Sequence, residues 1–355
     1  MSEIEDEARL FPEVEGLAAA LAAGTPPEGP AQAVIEPPRQ AGGHAVGDVR
    51  LLYARDVTIW PRLGLVRLAD GRVPAHAHSA SRLRDRPLPE APGSAPRIPR
   101  AAIWLGKGAC RNYGHFLFDG LPGLTWLDES GVGAAYPPLA PPLAAWQREI
   151  LAMAGLPAPL IRREAAVNVG EAVILTSINH YLQRGDGLLF AAAARLGRPA
   201  APPPPPGPGP FAGALYLSRR GVWSRVLLEE ARLERAILQG GGRVIRPEGM
   251  SARAQAEAAR GARTLAGPSG AALGNLIHLA PGARVVELRP SAVDEPWMAV
   301  STLALGLRHE VVSGSAPLAA PPLAARVKTL PRRLYGRQAW AWSVDVAEVL
   351  ARLAE

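Results

Sequence analysis

Cysteine is almost missing from this 355-residue chain: Cys110 is the only one. An intrachain disulfide and any cysteine-based zinc site are therefore excluded. Aromatic residues make up only 5%, and no basic run is interleaved with them, which argues against a nucleic-acid-binding surface. No apolar run is long and uncharged enough to span a bilayer. The acidic start, MSEIEDEARLFPEVEG, lacks the pattern of a signal peptide. The chain also has no Asp-x-Asp pair of the kind that would hold a catalytic metal. These absences lead to the expectation of a cytoplasmic protein, at most peripheral to the inner membrane.

Proline and glycine, by contrast, are abundant at 37 each, and 48% of the residues are hydrophobic, enough for real cores. The length fits two domains. The formal net charge of +7 favours anionic partners, among them a nucleotide-sugar or an anionic membrane face.

The strongest local pattern runs from Leu265 to Pro290, LAGPSGAALGNLIHLAPGARVVELRP. It reads strand, glycine loop, helix, turn, strand. Gly267-Pro268-Ser269-Gly270 can neither continue a strand nor sit inside a helix. Ala271–Leu279 is expected as a helix, and Arg284–Leu288 as a β-branched strand core. A glycine loop that opens a helix presents free N–H groups and a positive dipole end, which suits a phosphate. An ordinary βαβ turn with no ligand explains the stretch equally well. The loop is neither a GxGxxG fingerprint nor a P-loop, since the lysine is lacking.

A second pattern is Asn112-Tyr113-Gly114-His115, followed by Asp119 and Leu121-Pro122-Gly123-Leu124. Asn112, His115 and Asp119 share one helix face at i, i+3 and i+7, a placement able to line a cleft. A His–Asp pair that merely stabilises a helix surface, and an Asn112 that is simply an N-cap, fit as well.

Around these two patterns, residues 1–45 read as an N-terminal arm, partly irregular, with a helix near Val14–Ala23. Residues 46–198 form an α/β domain, with β-like text from Val49, and 199–211 a proline-rich linker. Residues 212–325 repeat strand and helix, including an amphipathic helix over Ser224–Gln239, so a parallel sheet is expected there. Residues 74–100 and 315–333 read as loops. Residues 326–355 form a C-terminal segment and helix, able to pack back on the N-terminal domain.

Together these motifs resemble glycosyltransferase family 61. The N-x-x-H helix with its Leu-Pro-x-Leu is one. A strand ending in Ser218-Arg219, then a short loop and the family's R-x-x-x-N-E opening a helix, read here as Arg225 and Leu228-Glu229, is another. The third is Gly267-Pro268-Ser269-Gly270-Ala271-Ala272-Leu273-Gly274-Asn275, with the strand that carries Glu287. Ser269 stands where the family keeps a histidine. The resemblance covers roughly residues 100–300.

It implies an α/β, GT-B-like fold: two Rossmann-like domains facing across a cleft. It implies an inverting, metal-independent glycosyltransferase (hexosyl or pentosyl) that moves a sugar from a nucleotide-sugar, UDP-linked, to a glycan or lipid-linked acceptor in surface or capsular polysaccharide synthesis. No cofactor is needed beyond the donor itself. On this reading His115 is the base, Asp119 fixes its tautomer and Asn112 holds the acceptor. Arg219, Arg225, Glu229, Gly267, Ser269, Gly270, Ala271, Asn275 and Glu287 form the donor side. Two alternatives are an HxxxD-type acyltransferase using His115, and a non-catalytic remnant whose donor site has eroded at Ser269 and Leu228.

Overall fold

Alternating β-branched strands and short amphipathic helices give an α/β chain that divides after Gly197 into two units, residues 1–197 and 198–355. The computed structural model describes residues 9–10, 12–41, 43–46, 48–73, 90, 93–106, 110–175, 186–201, 203–204, 207–222, 224–291, 293, 296–317 and 341–355. Most of the two expected loops, 74–100 and 315–333, lies outside the described residues, as do residues 326–340 of the C-terminal segment.

The first unit holds β1 (Arg9–Leu10), β2 (Ala31–Glu36), β3 (Arg39–Ala41), β4 (His44–Val46), β5 (Val49–Trp60), β6 (Leu65–Arg67), β7 (Arg97–Ile103), β8 (Pro138–Ala140), β9 (Leu160–Ile161) and β10 (Val167–Leu175). Its main sheet runs β1-β2-β5-β10-β7-β8-β9, with β6 beside β5. Strands β7 to β10 are parallel to one another. Counted in chain order, they lie third, second, first, fourth across the sheet, the order of a Rossmann half. Strand β5 pairs antiparallel with β10, Val173 opposite Tyr53. Leu52, Ile59, Ile98, Val169 and Ile174 form one buried face of this sheet, each contributing about 1.5–3 kcal/mol by leaving water. The N-terminal arm is more ordered than its composition suggests. Helix α1 (Val14–Ala22) buries Leu17 and Leu21, and β2 is built into the main sheet against β5. Short strands flanked by Pro and Gly carry little signal until a partner strand is known.

The second unit holds β11 (Ala214–Leu217), β12 (Val226–Leu227), β13 (Arg243–Ile245), β14 (Thr264–Pro268), β15 (Arg284–Pro290), β16 (Arg308–Gly314) and β17 (Ala341–Trp342). The sheet order is β13-β11-β14-β15-β16, all parallel. In chain order this is second, first, third, fourth, fifth, a doubly wound sheet that reverses direction between β11 and β14. Tyr216, Leu233, Ile237, Val286, Val312, Trp342 and Val349 pack together in its core.

Three expectations change here. The helix expected from Ser224 begins only at Glu230 and ends at Gln239, because Val226-Leu227 instead pair with Ala341-Trp342. The proline-rich stretch 199–211 is not a free linker. A Cβ on Gly209 would lie 2.5 Å from the Gly240 carbonyl oxygen, the Phe211 N–H donates to that same oxygen at 2.9 Å, and Phe211 is buried in the second unit's core. Finally, residues 341–355, expected as a segment able to pack back on the N-terminal domain, contribute Trp342, Val346, Val349 and Leu353 to the core of the second unit.

Candidate functional site

In an open parallel sheet, ligands bind outside the carboxyl ends of the strands where the strand order reverses. In the second unit that point lies between β11 and β14. Strand β11 runs into Ser218-Arg219-Arg220, and β14 into Ser269-Gly270. An ideal Cβ on Gly270 would sit 2.9 Å from Arg219 Nη1 and 3.2 Å from Arg225 Nη2, so two guanidiniums converge on this one glycine. Like charge and burial both act on Arg219: burial first, then the neighbouring Arg225, lower its pKa. Neither arginine is in an ion pair among the described residues, although Arg219 Nη2 donates to the Ser224 carbonyl at 3.2 Å. Arg219 Nε, Arg225 Nε and Ser269 Oγ are all buried without a hydrogen-bond partner among the described residues. Buried donors are nearly always paired, so orphans on two arginines that converge on Gly270, and on the residue just before it, point to a place suited to an acceptor.

The local backbone supports this. Arg225 has φ 53°, an uncommon conformation for a non-glycine residue, and its carbonyl accepts from Trp342 Nε1 at 3.3 Å. Gly270 has φ 157° and ψ −179°, a region essentially restricted to glycine. The helix expected after it is a 3₁₀ helix, Ala271–His278. Its first N–H groups have no intrahelical acceptor, and they adjoin the Arg219–Arg225 pair.

The remaining expected donor-side residues are placed differently. A Cβ on Gly267 would meet the Leu217 carbonyl oxygen at 2.8 Å, so its role is the close approach of β14 to β11. Asn275 donates to Gln255 Oε1 and to the Ala272 carbonyl, both at 2.9 Å, and thereby fixes the 3₁₀ helix. Glu287 is fully buried; one oxygen bonds His309 Nε2 at 3.0 Å and the other has no partner. Glu229 accepts from the Val344 N–H at 3.2 Å, tying the C-terminal segment to the start of the helix. It makes no pair with Arg225, because the intervening residues form a strand and a turn, not a helix.

The acid at the site is the next residue, Glu230. Its Oε1 accepts the Arg219 backbone N–H at 2.6 Å. Counted strictly, a family spacing of R-x-x-x-N-E from Arg225 puts Glu229 at the asparagine position and Glu230 at the glutamate. The family's Asn-Glu pair therefore falls on Glu229-Glu230 and not on Leu228-Glu229. Glu234, one turn further on, takes the Ser218 hydroxyl at 2.6 Å, Arg220 at 3.1 Å and Arg246 at 3.0 Å.

In the first unit, Asn112, His115 and Asp119 begin the long helical segment after β7, the first of its parallel strands. That segment is α-helical over Tyr113–His115, π-helical over Phe116–Gly120 and α-helical again over Leu121–Glu129. Asn112 is the N-cap, its side chain accepting from the His115 N–H at 3.1 Å. Asp119 is buried, and its Oδ2 lies 2.5 Å from His115 Nδ1. The π turn carries Asp119; such single turns are frequent at functional sites. Phe116 packs edge-on against Trp104 and Trp146 beneath this pair, which fixes the helix on the end of β7.

The model of the family described as Glycosyltransferase 61 matches residues 113–286, a stretch that begins at the His115 helix and ends in β15. The chain belongs to glycosyltransferase family 61. Membership implies a sugar donor and a glycan acceptor. No curated protein matches the chain.

Proposed function

We propose that the chain is an inverting, metal-independent glycosyltransferase that takes a sugar from a UDP-linked donor and serves surface-polysaccharide synthesis in the cytoplasm. In this reading it is a GT-B enzyme whose second unit binds the donor and whose first unit presents the catalytic base. The observation that carries the donor site is the convergence of Arg219 and Arg225, each with a buried unpartnered Nε, on Gly270 at the strand-order reversal.

The chemistry follows from the residues. As the anomeric carbon–oxygen bond breaks, negative charge builds on the departing diphosphate. Arg219, Arg225 and the N–H groups after Gly270 stabilise it, each charge-assisted hydrogen bond contributing about 1.5–3 kcal/mol. Asp119 accepts the Nδ1 proton of His115, which makes Nε2 the basic nitrogen. Nε2 then removes the acceptor hydroxyl proton as that oxygen attacks the anomeric carbon from the opposite face, inverting the centre. The HxxxD-type acyltransferase reading of His115 and Asp119 is not favoured by the family match.

A panel of nucleotide-sugars tests the proposal by thermal shift. A bound donor at about 100 times its Kd adds about 2.7 kcal/mol to the unit that holds it. Stabilisation by one nucleotide-sugar, retained in chelator, is the expected result. Stabilisation by acyl-CoA alone, or a strict need for a divalent cation, would overturn it.

A further inference from the structure

Glu230 opens the helix Glu230–Gln239 of the second unit and is only 4% exposed. Besides the Arg219 N–H at 2.6 Å, its Oε1 has the Tyr216 hydroxyl at 3.4 Å. Arg219 thus meets Glu230 through its main chain while its guanidinium turns to Gly270. Unlike Glu234, Glu230 is in none of the ion pairs among the described residues. A carboxylate buried without a cationic partner is costly in its charged form. Burial pushes its pKa up to about 7 against the opposing effect of the Arg219 N–H bond, and the like charge of Glu234 adds to the rise.

Before a donor binds, the positive charge of Arg219 partly offsets an ionised Glu230. A diphosphate seated on Arg219 and Arg225 removes that offset and brings a second anion beside the buried carboxylate. We propose that Glu230 is a positioning residue that holds the end of β11 at the donor site and takes up a proton when a diphosphate docks on Arg219 and Arg225, so that donor binding is coupled to proton uptake. The inference rests on the donor-site reading above. Among the described residues, the charged and titratable groups around Glu230 are Tyr216 and Arg219 from β11 and its end, and Glu234 on its own helix. Arg225, before β12, and Glu248, after β13, act on Arg219. Arg220 and Arg246 are held by Glu234. The proton comes from solvent, and no covalent bond changes.

The test measures Kd against pH, from about pH 5.5 to 8.5, in the intact chain and in Glu230→Gln. The probe is UDP-glucose, or whichever nucleotide-sugar of the panel shifts unfolding most, because its diphosphate is fully ionised throughout. Glutamine keeps the acceptor for the Arg219 N–H, and its thermal midpoint is recorded alongside. The expected result is a Kd that is flat at low pH and rises about tenfold per unit above pH 7 in the native chain, and stays flat in Glu230→Gln. A flat native profile, or the same slope in both proteins, overturns the coupling while leaving the donor site standing. No binding by any nucleotide-sugar at any pH overturns the donor-site reading itself.

Discussion

Replacing Gly270 by alanine tests the convergence of Arg219 and Arg225 with a single methyl group. The backbone at Gly270, φ 157° and ψ −179°, costs a residue with a Cβ about 1–3 kcal/mol. The added carbon would stand 2.9 Å from Arg219 Nη1 and 3.2 Å from Arg225 Nη2. Both atoms are the far ends of flexible side chains, so the methyl pushes the guanidiniums aside at little further cost to folding. The site loses more than the fold does. Displacing one charge-assisted bond costs about 1.5–3 kcal/mol, which is roughly a 10- to 150-fold loss in affinity. The assay is calorimetric titration with the nucleotide-sugar that best stabilises the native chain, beside a thermal melt of each protein. An unchanged Kd in a folded Gly270→Ala chain would refute the argument that these guanidiniums hold the donor.

Three other substitutions probe separate parts of the argument. His115→Gln is expected to abolish transfer while leaving donor affinity within about twofold of native, a split between kcat and Kd that reports a base acting after binding; retained turnover would move the base elsewhere. His278 is fully buried, neither ring nitrogen has a hydrogen-bond partner, and burial, then Arg260, pushes its pKa down to about 3. Its folded pKa lies below the unfolded value of 6.5, so stability is complete above 6.5 and is lost as the pH falls towards 3. Two units below 6.5, at about pH 4.5, the loss is about 2.7 kcal/mol. Urea midpoints at that pH and at neutrality should show this loss in the native chain and not in His278→Leu, and equal losses would refute it. Trp342→Ala should destabilise the second unit by about 3–5 kcal/mol, seen as an earlier denaturant transition, because Trp342 is buried in that unit's core. A transition that did not move would detach the C-terminal segment from this core.

Much of the chain could be read in advance because the relevant signals are local. The glycine loop at 267–270, the β-branched run at 284–288 and the Asn112 cap each depend on residues a few positions apart, where backbone sterics and side-chain capping decide. Helix α1 was legible in the same way. What failed depended on distant partners. Val226-Leu227 became a strand only because Ala341-Trp342 pair with it, and that pairing cut short the expected helix. The proline-rich stretch looked like a linker because polyproline composition says nothing about Phe211, which is buried in the second unit. Glu229 and Glu230 are adjacent and chemically identical in sequence; burial and the Arg219 N–H alone distinguish them.

By itself, then, the sequence determined the family, the α/β class, and the residue types that stand at both candidate sites. Motif spacing and short-range backbone preference are properties of the chain and need no fold to be read. Only the tertiary structure decided that β11 and β14 are neighbours at the reversal of strand order, and that Arg219, Arg225, Ser269 and Gly270 meet there. Residues some fifty positions apart come together through the parallel hydrogen-bond register of two strands. That register is set by the packing of the whole sheet, and no local stretch of sequence encodes it.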